Sequence, residues 1–262
     1  MKAIKLVLVV AIMALLPAIT WAAPGAGGGL AGTAHDFTVA TPTGTGGNTE
    51  TFAVGLCTFC HTPHRAIQTE LLWNHTLSTS TFSWDIPSTT AGTKYPSFKG
   101  DTYKGPTAKC LSCHDGTVAI GDVAWFGEGK PAAPLNTDKH AWPDVFNVGA
   151  RDGVAGNMTG NHPVAMPYPY GNGKNTYNKI TTGDQAELTE WQAAPLSPIR
   201  VFHDDGSNIT AGPASGTTGI ECSSCHDPHN KQSVDDLFLR GTIGGNVAGT
   251  GANYLCLKCH VK

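Results

Sequence analysis

Charged residues are scarce in this chain. Asp, Glu, Lys and Arg make up 14% of its 262 residues, well below the roughly one quarter of an ordinary soluble domain. Glycine and proline are plentiful instead, at 32 and 17 residues. A large core of regular helices or sheets is not expected from such a composition. We therefore predict a mostly irregular coil with short helices and few or no strands.

Long hydrophobic runs are absent after the first 22 residues, which argues against a transmembrane segment. The start of the chain has Lys2 and Lys5, an apolar stretch over 6–16 and then small residues up to Ala22. This order is typical of a secretory signal peptide. We predict a signal peptide over 1–22 and an exported mature chain over 23–262, located extracellularly or at the cell surface, with the periplasm as the alternative.

A basic excess is also lacking. Without Lys2 and Lys5 the chain has 15 basic and 20 acidic side chains, a formal net charge of −5 with histidine neutral. Nucleic-acid partners normally require a basic surface. A nucleic-acid-binding function is therefore disfavoured.

No cysteine is left unpaired in the sequence pattern. The eight cysteines form four copies of CxxCH, in which Cys57, Cys60, Cys110, Cys113, Cys222, Cys225, Cys256 and Cys259 are followed by His61, His114, His226 and His260. This motif attaches haem c: two thiols bond to the porphyrin and the histidine binds the iron. We predict four covalently attached haems, organised as a multihaem cytochrome c, with these histidines as proximal ligands.

Three other uses of the cysteines leave part of the pattern unexplained. Disulfides suit an exported chain but do not require a histidine after every second cysteine. Two zinc ribbons would use four CxxC pairs and would also leave the four histidines without a role. A thioredoxin-like site would use a single pair. Haem attachment accounts for all twelve residues.

Methionine is too rare to supply the second axial ligands. The mature chain has only Met158 and Met166. Seven further histidines are present: His35, His64, His75, His140, His162, His203 and His229. Bis-histidine ligation at all four irons is therefore the expectation, and relative to methionine ligation it implies low reduction potentials.

Local context ranks these seven histidines. His64 and His229 follow a proximal histidine by three residues, and we expect them to bind the second and fourth haems. The order histidine, CxxCHxPH, CLxCH occurs twice, which predicts a repeat over 23–145 and 146–262. The histidine that begins each copy, His35 or His162, is predicted to be a distal haem ligand. His75, in LLWNH, competes with His35 for the remaining place. His140 and His203 are expected to be ordinary surface residues.

The residues from 35 to 262 resemble multihaem cytochromes with doubled CxxCH motifs, in which HDF, CxxCHTPH, LWN, CLSCHDGT, HPV and CSSCHDPH recur in this order. Four haems, a signal peptide and a glycine-rich body also resemble the tetrahaem cytochromes that polymerise into extracellular conducting filaments in metal-reducing bacteria. The resemblance implies electron transfer, with copies of the same chain joined head to tail and with redox partner cytochromes or extracellular electron acceptors.

Under this interpretation the glycine-rich segment before His35 would let that histidine cross to a neighbouring subunit. One alternative keeps the same haems in a periplasmic monomer or in a subunit of an electron-transfer complex. A multihaem reductase is a further alternative, but it needs an iron with an open position. The supply of histidines and the absence of a CxxCK variant disfavour an enzyme.

Overall fold

A computed structural model describes residues 25–38, 55–63, 66, 70–84, 97–115, 117, 156–158, 160–182, 188–235, 237–243 and 253–261. All eight cysteines lie within these ranges. The predicted signal peptide, together with His64 and His140, lies outside the described residues.

The prediction of few or no strands is wrong. Eight strands are found within the described residues: β1 Thr81–Ser83, β2 Ser97–Lys99, β3 Met166–Pro167, β4 Thr176–Tyr177, β5 Ile180–Thr181, β6 Phe202–Asp204, β7 Ile209–Ala211 and β8 Thr218–Ile220. They form a β1–β2 pair, a β4–β5 pair and a four-stranded sheet in the order β3-β8-β6-β7. All pairings are antiparallel. The fold is therefore β-rich and not a mostly coiled, helical cytochrome.

Tight turns explain why a glycine- and asparagine-rich chain forms these strands. Asn178 and Lys179 join β4 to β5 with φ values of 47° and 62°, the left-handed conformation of a two-residue hairpin turn. In the loop between β6 and β7, Asp205 Oδ1 accepts hydrogen bonds from the N–H groups of Ser207 and Asn208 at 2.8 and 2.7 Å. The residues that suggested coil are thus the turns between very short strands.

Two α-helices have both ends within the described residues, α1 Thr107–His114 and α2 Cys222–Cys225. Short 3₁₀ turns lie at Glu70–Leu72, Tyr170–Asn172 and Cys256–Lys258. Three of these five elements carry CxxCH cysteines. The helical segments therefore serve mainly to present the motifs.

Two apolar clusters support the motifs. The first contains Leu77, Phe82, Trp84, Phe98, Tyr103, Ala108, Leu111, Met158, Val164 and Ala165. The second contains Met166, Tyr168, Val201 and Ile220, and Cys259 packs against it. Ala108 and Leu111 lie on α1, so the first cluster anchors the second motif and the second cluster anchors the fourth. Both methionines of the mature chain are buried in these clusters.

The two predicted halves are packed together. Ser83 at the end of β1 forms backbone hydrogen bonds with Gly156 at 3.0 Å and with Met158 at 2.9 Å. The N-terminal segment 25–38 lies against the loop after the third motif. There Asn230 accepts a hydrogen bond from Gly27 N–H at 3.0 Å and donates to the carbonyls of Gly25 and Gly29 at 3.2 and 2.9 Å.

Replacing Gly219 by alanine should strongly destabilise the four-stranded sheet. A Cβ at this position of β8 would overlap the Tyr177 ring and lie 2.6 Å from the Met166 carbonyl oxygen. Overpacking of this kind costs about 1–3 kcal/mol and sometimes more, so a large drop in the urea unfolding midpoint is expected. Gly173→Ala is the matched control, because its Cβ would meet Tyr170 O at an ordinary 3.7 Å. Equal midpoints for the two variants would contradict the packing described.

Candidate haem centres

Each CxxCH motif folds into one helical turn. The histidine N–H donates to the carbonyl of the first cysteine in three motifs: His61 to Cys57 at 2.8 Å, His226 to Cys222 at 3.0 Å and His260 to Cys256 at 2.9 Å. The second motif lies within α1. Residues three apart on a helical turn share a face, so the two thiols of each motif lie on one side with the histidine next to them. A motif of this shape suits attachment to a single flat group.

Thiols of consecutive motifs are neighbours. The thiols of Cys110 and Cys222 hydrogen bond to each other, which raises the pKa of Cys110 and lowers that of Cys222. Burial, together with the nearby Cys60, raises the pKa of Cys113 to about 12. Burial followed by the charges of Cys222 and Cys256 raises the pKa of Cys225 to about 11. The first motif therefore lies beside the second, the second beside the third and the third beside the fourth.

Three motif histidines are paired with a histidine from elsewhere in the chain. The ring centres are 6.0 Å apart for His35 and His114, 6.2 Å for His61 and His229, and 6.4 Å for His162 and His260. Every pair joins a CxxCH histidine to one of the histidines predicted to be distal ligands. The fold thus brings together residues that are far apart in sequence.

The spacing of these pairs fits a shared iron. Two imidazoles that bind one metal from opposite sides have ring centres about 6 Å apart, since each metal–nitrogen bond is about 2.0 Å and each ring centre lies about 1.1 Å behind its nitrogen. Ordinary aromatic contacts reach the same distance. Ligation is favoured because each of the three pairs contains a different CxxCH histidine.

Backbone carbonyls orient the rings. Four of the predicted ligand histidines direct Nδ1 at a carbonyl oxygen: His61 at Leu71 (2.6 Å), His226 at Leu237 (2.8 Å), His162 at Pro163 (2.9 Å) and His35 at Pro228 (3.4 Å). His203 on β6 does the same towards Gly212 (3.3 Å). A carbonyl only accepts, so Nδ1 carries the hydrogen and Nε2 keeps its lone pair. This arrangement is the usual one for histidines that bind a metal through Nε2.

Burial favours the neutral imidazole, the form that binds a metal, at His114, His35 and His229. Desolvation, with smaller effects of His35 and His226, lowers the pKa of His114 to about 3. Desolvation also lowers the pKa of His35, although its hydrogen bond to Pro228 opposes the change. The pKa of His229 is lowered by burial as well, against the effect of Asp227.

The carbonyls that hold His61 and His226 belong to equivalent, strained turns. Leu71 and Leu72 have φ of 56° and 53°, and Leu237 and Phe238 have φ of 60° and 59°. Such a left-handed backbone costs roughly 1–2 kcal/mol per non-glycine residue. Strain in the same place in both copies indicates that the surrounding structure holds this conformation, which directs the carbonyls at His61 and His226. Sequence reasoning missed these turns, and only an alignment of LLWN with LFLR would have revealed them.

The two copies differ in charge at one buried position. Arg240 bonds to Asp227 at 3.4 Å, and the side chains of the two residues are 1% and 3% exposed. At the equivalent places of the first copy are the neutral Asn74 and Thr62, also buried. Asn74 donates to the Thr58 carbonyl at 2.9 Å and Arg240 to the matching Ser223 carbonyl at 3.4 Å. The two pairs therefore fill one structural position with different chemistry.

His229 and His35 lie beside motifs other than those expected from the sequence or from the filament hypothesis. His229 was expected to serve the fourth haem, but it lies beside His61 of the first motif. His35 lies beside His114 of its own chain. Its rival His75 is fully buried, with its ring 5.1 Å from Phe59 and 5.9 Å from Trp73. The geometry thus favours His35 over His75 as a distal ligand.

No metal role is predicted for His203. His203 lies on β6, where its ring contacts the Thr210 hydroxyl. Within the described residues no three or more His, Cys, Asp or Glu side chains converge on a possible ion site. The histidines occur in pairs, and a pair is what a haem iron needs, because the porphyrin supplies the other four ligands.

No helix in the described part of the chain has the length and apolar composition to cross a bilayer. No protein-family model matches the chain, and no curated protein matches it either.

Proposed function

We propose that this protein is an exported tetrahaem c-type cytochrome that transfers electrons. The observation that carries the proposal is the set of three histidine pairs, each with one CxxCH histidine and ring centres 6.0 to 6.4 Å apart. A bis-histidine haem supplies a one-electron iron couple with no position open to a substrate. The eight cysteines would hold the four groups, and His61, His114, His226 and His260 would be proximal ligands.

The chain's own residues give each centre its ligands. His229, His35 and His162 would bind opposite His61, His114 and His260. For His226, the repeat makes His64 the candidate, since His64 occupies the place of His229 in the first copy. Each half of the chain would then lend a histidine to a CxxCH motif of the other half. His75 stays the predicted alternative to His35.

The proximity of the motifs supports electron transfer along the chain. Cys60 and Cys113, Cys110 and Cys222, and Cys225 and Cys256 are neighbouring thiols. Groups attached at these cysteines would lie close together, as a relay requires. A multihaem reductase would need an iron without its second histidine, and the supply of histidines disfavours such a centre.

Polymerisation into a conducting filament stays a prediction. It would need contacts between copies, and in the single chain His35 is held beside His114. Electron microscopy of the secreted fraction separates the filament from the periplasmic monomer or complex subunit. A His35→Ala variant that still forms filaments with four bis-histidine haems would exclude a crossing role for His35.

The direct test is the haem content of the purified protein. Expressed with its leader in a host that attaches haem c, the wild type should be red, carry four covalent haems by mass and show only low-spin iron by electron paramagnetic resonance. The variant Cys222→Ala/Cys225→Ala should carry three, because a CxxCH motif attaches one haem. His203→Ala is the control and should keep four low-spin haems. A colourless wild type, or one with high-spin iron, would contradict the proposal.

A further inference from the structure

A fully buried carboxylate lies immediately before the third motif. Glu221 is 0% exposed. Its Oε1 accepts hydrogen bonds from the hydroxyls of Tyr103 at 2.6 Å and Tyr177 at 2.5 Å, and its Oε2 accepts one from Thr107 N–H at 3.0 Å. A carboxylate with several donors and no facing acceptor is stabilised in its ionised form.

This carboxylate is particular to the third motif. The residue before the first cysteine is Leu56, Lys109 and Leu255 in the other three motifs. Glu221 caps α2, as its side chain accepts from the Ser224 backbone while Ser224 Oγ accepts from Glu221 N–H. A cap does not require full burial or two tyrosine donors. The tyrosines indicate a further role.

Glu221 lies where the second and third motifs meet. Thr107 begins α1, which carries Cys110, and Thr107 Oγ1 accepts a hydrogen bond from Cys222 N–H at 3.0 Å. The thiols of Cys110 and Cys222 hydrogen bond to each other, which raises the pKa of Cys110 and lowers that of Cys222, and the negative charge of Glu221 opposes proton loss at both thiols. One carboxylate therefore acts on two attachment sites at once.

The described partners of Glu221 are all neutral. Burial raises the pKa of Glu221, while the hydrogen bonds from Thr107, Tyr103 and Tyr177 oppose the rise. Neutral donors stabilise the carboxylate locally but leave its net charge in place. In a buried environment such a charge acts more strongly on its neighbours than it would in water.

We propose that the Glu221 carboxylate lowers the reduction potentials of the haems attached at the second and third motifs. A nearby negative charge favours the oxidised iron, which carries one more positive charge than the reduced iron. The inference rests on the proposed tetrahaem function. Glu221 is a tuning residue that acts through the buried space between the two attachment sites, and it is no ligand.

The test is a spectroelectrochemical titration of the holoprotein at alkaline pH, where the carboxyl group is ionised. Glu221→Gln keeps the shape of the side chain and removes its charge. The midpoint potentials of two of the four haems should rise, and the other two should stay unchanged. Asp205→Asn, on the exposed loop between β6 and β7, is the matched control and should move none.

A second variant separates charge from disruption. Tyr103→Phe keeps the carboxylate and removes the hydroxyl dipole that partly opposes its field at the two haems, so the same two potentials should fall. If Glu221→Gln loses haem, Tyr103→Phe still tests the effect of the Glu221 charge on the potentials. A rise in Tyr103→Phe, or unchanged potentials in a variant that retains four low-spin haems, overturns the tuning role and leaves the cytochrome function standing. A wild type without covalent haem defeats the proposed function itself.

Discussion

Replacing His229 by alanine should turn one of four low-spin haems into a high-spin haem, while all four stay attached. The affected haem should be the one at the first motif, because the His229 ring lies 6.2 Å from that of His61. In the proposed tetrahaem arrangement the remaining three would keep both histidines. Electron paramagnetic resonance of the oxidised protein measures the change, and mass spectrometry confirms that four haems are present.

The identity of the altered haem can be tested in two backgrounds that each lack one haem. In Cys57→Ala/Cys60→Ala, where the first haem is missing, adding His229→Ala should produce no new high-spin signal. In Cys256→Ala/Cys259→Ala, the same addition should still produce one. The opposite pattern would assign His229 to the fourth motif, as its position in the sequence first suggested. His203→Ala again serves as the control.

Replacing Arg240 by asparagine should destabilise the protein by about 3–5 kcal/mol, because it leaves a buried carboxylate without its cation. Asp227 keeps hydrogen bonds from the N–H groups of Lys231 and Gln232 at 2.8 and 2.6 Å, but these do not cancel its charge. The shift in the urea unfolding midpoint measures the loss.

The first copy of the repeat supplies the rescue. Adding Asp227→Thr to Arg240→Asn recreates the neutral pair Thr62 and Asn74, and most of the lost stability should return. Asn74→Ala is a control for the loss of one neutral hydrogen bond and should cost only about 1 kcal/mol. A double variant as unstable as the single one would show that the two copies are not equivalent at this position.

The helical turns at the motifs were predictable, because they depend on five adjacent residues. The strands were not. Those such as Phe202–Asp204 are two or three residues long, too short to show the alternation of polar and apolar residues that identifies a strand. Met166–Pro167 even contains a proline, which normally argues against a strand. Packing of Met166 and Ile220 in an apolar cluster stabilises this pairing, and that contact is invisible in a local window.

The candidate ligands remain predictions from residue type, and the motif beside which each one lies could not be predicted from the sequence. HDPH suggested that His229 would bind the fourth haem, in its own half of the chain, whereas the fold places it beside His61 in the other half. Nearness in sequence is a poor guide once two repeats pack together. The burial of Glu221 could not be predicted either. A glutamate before a cysteine is expected to be an exposed helix cap, and only the structure shows that Tyr103 and Tyr177 enclose it.

The docking of the N-terminal segment on Asn230 has a consequence for exchange between copies. A segment that left its own chain and bound Asn230 of a second copy would form the same three side-chain hydrogen bonds. The contacts alone would not distinguish a closed chain from an exchanged pair. The balance would then depend on the effective concentration of the segment near its own chain, compared with the concentration of other copies.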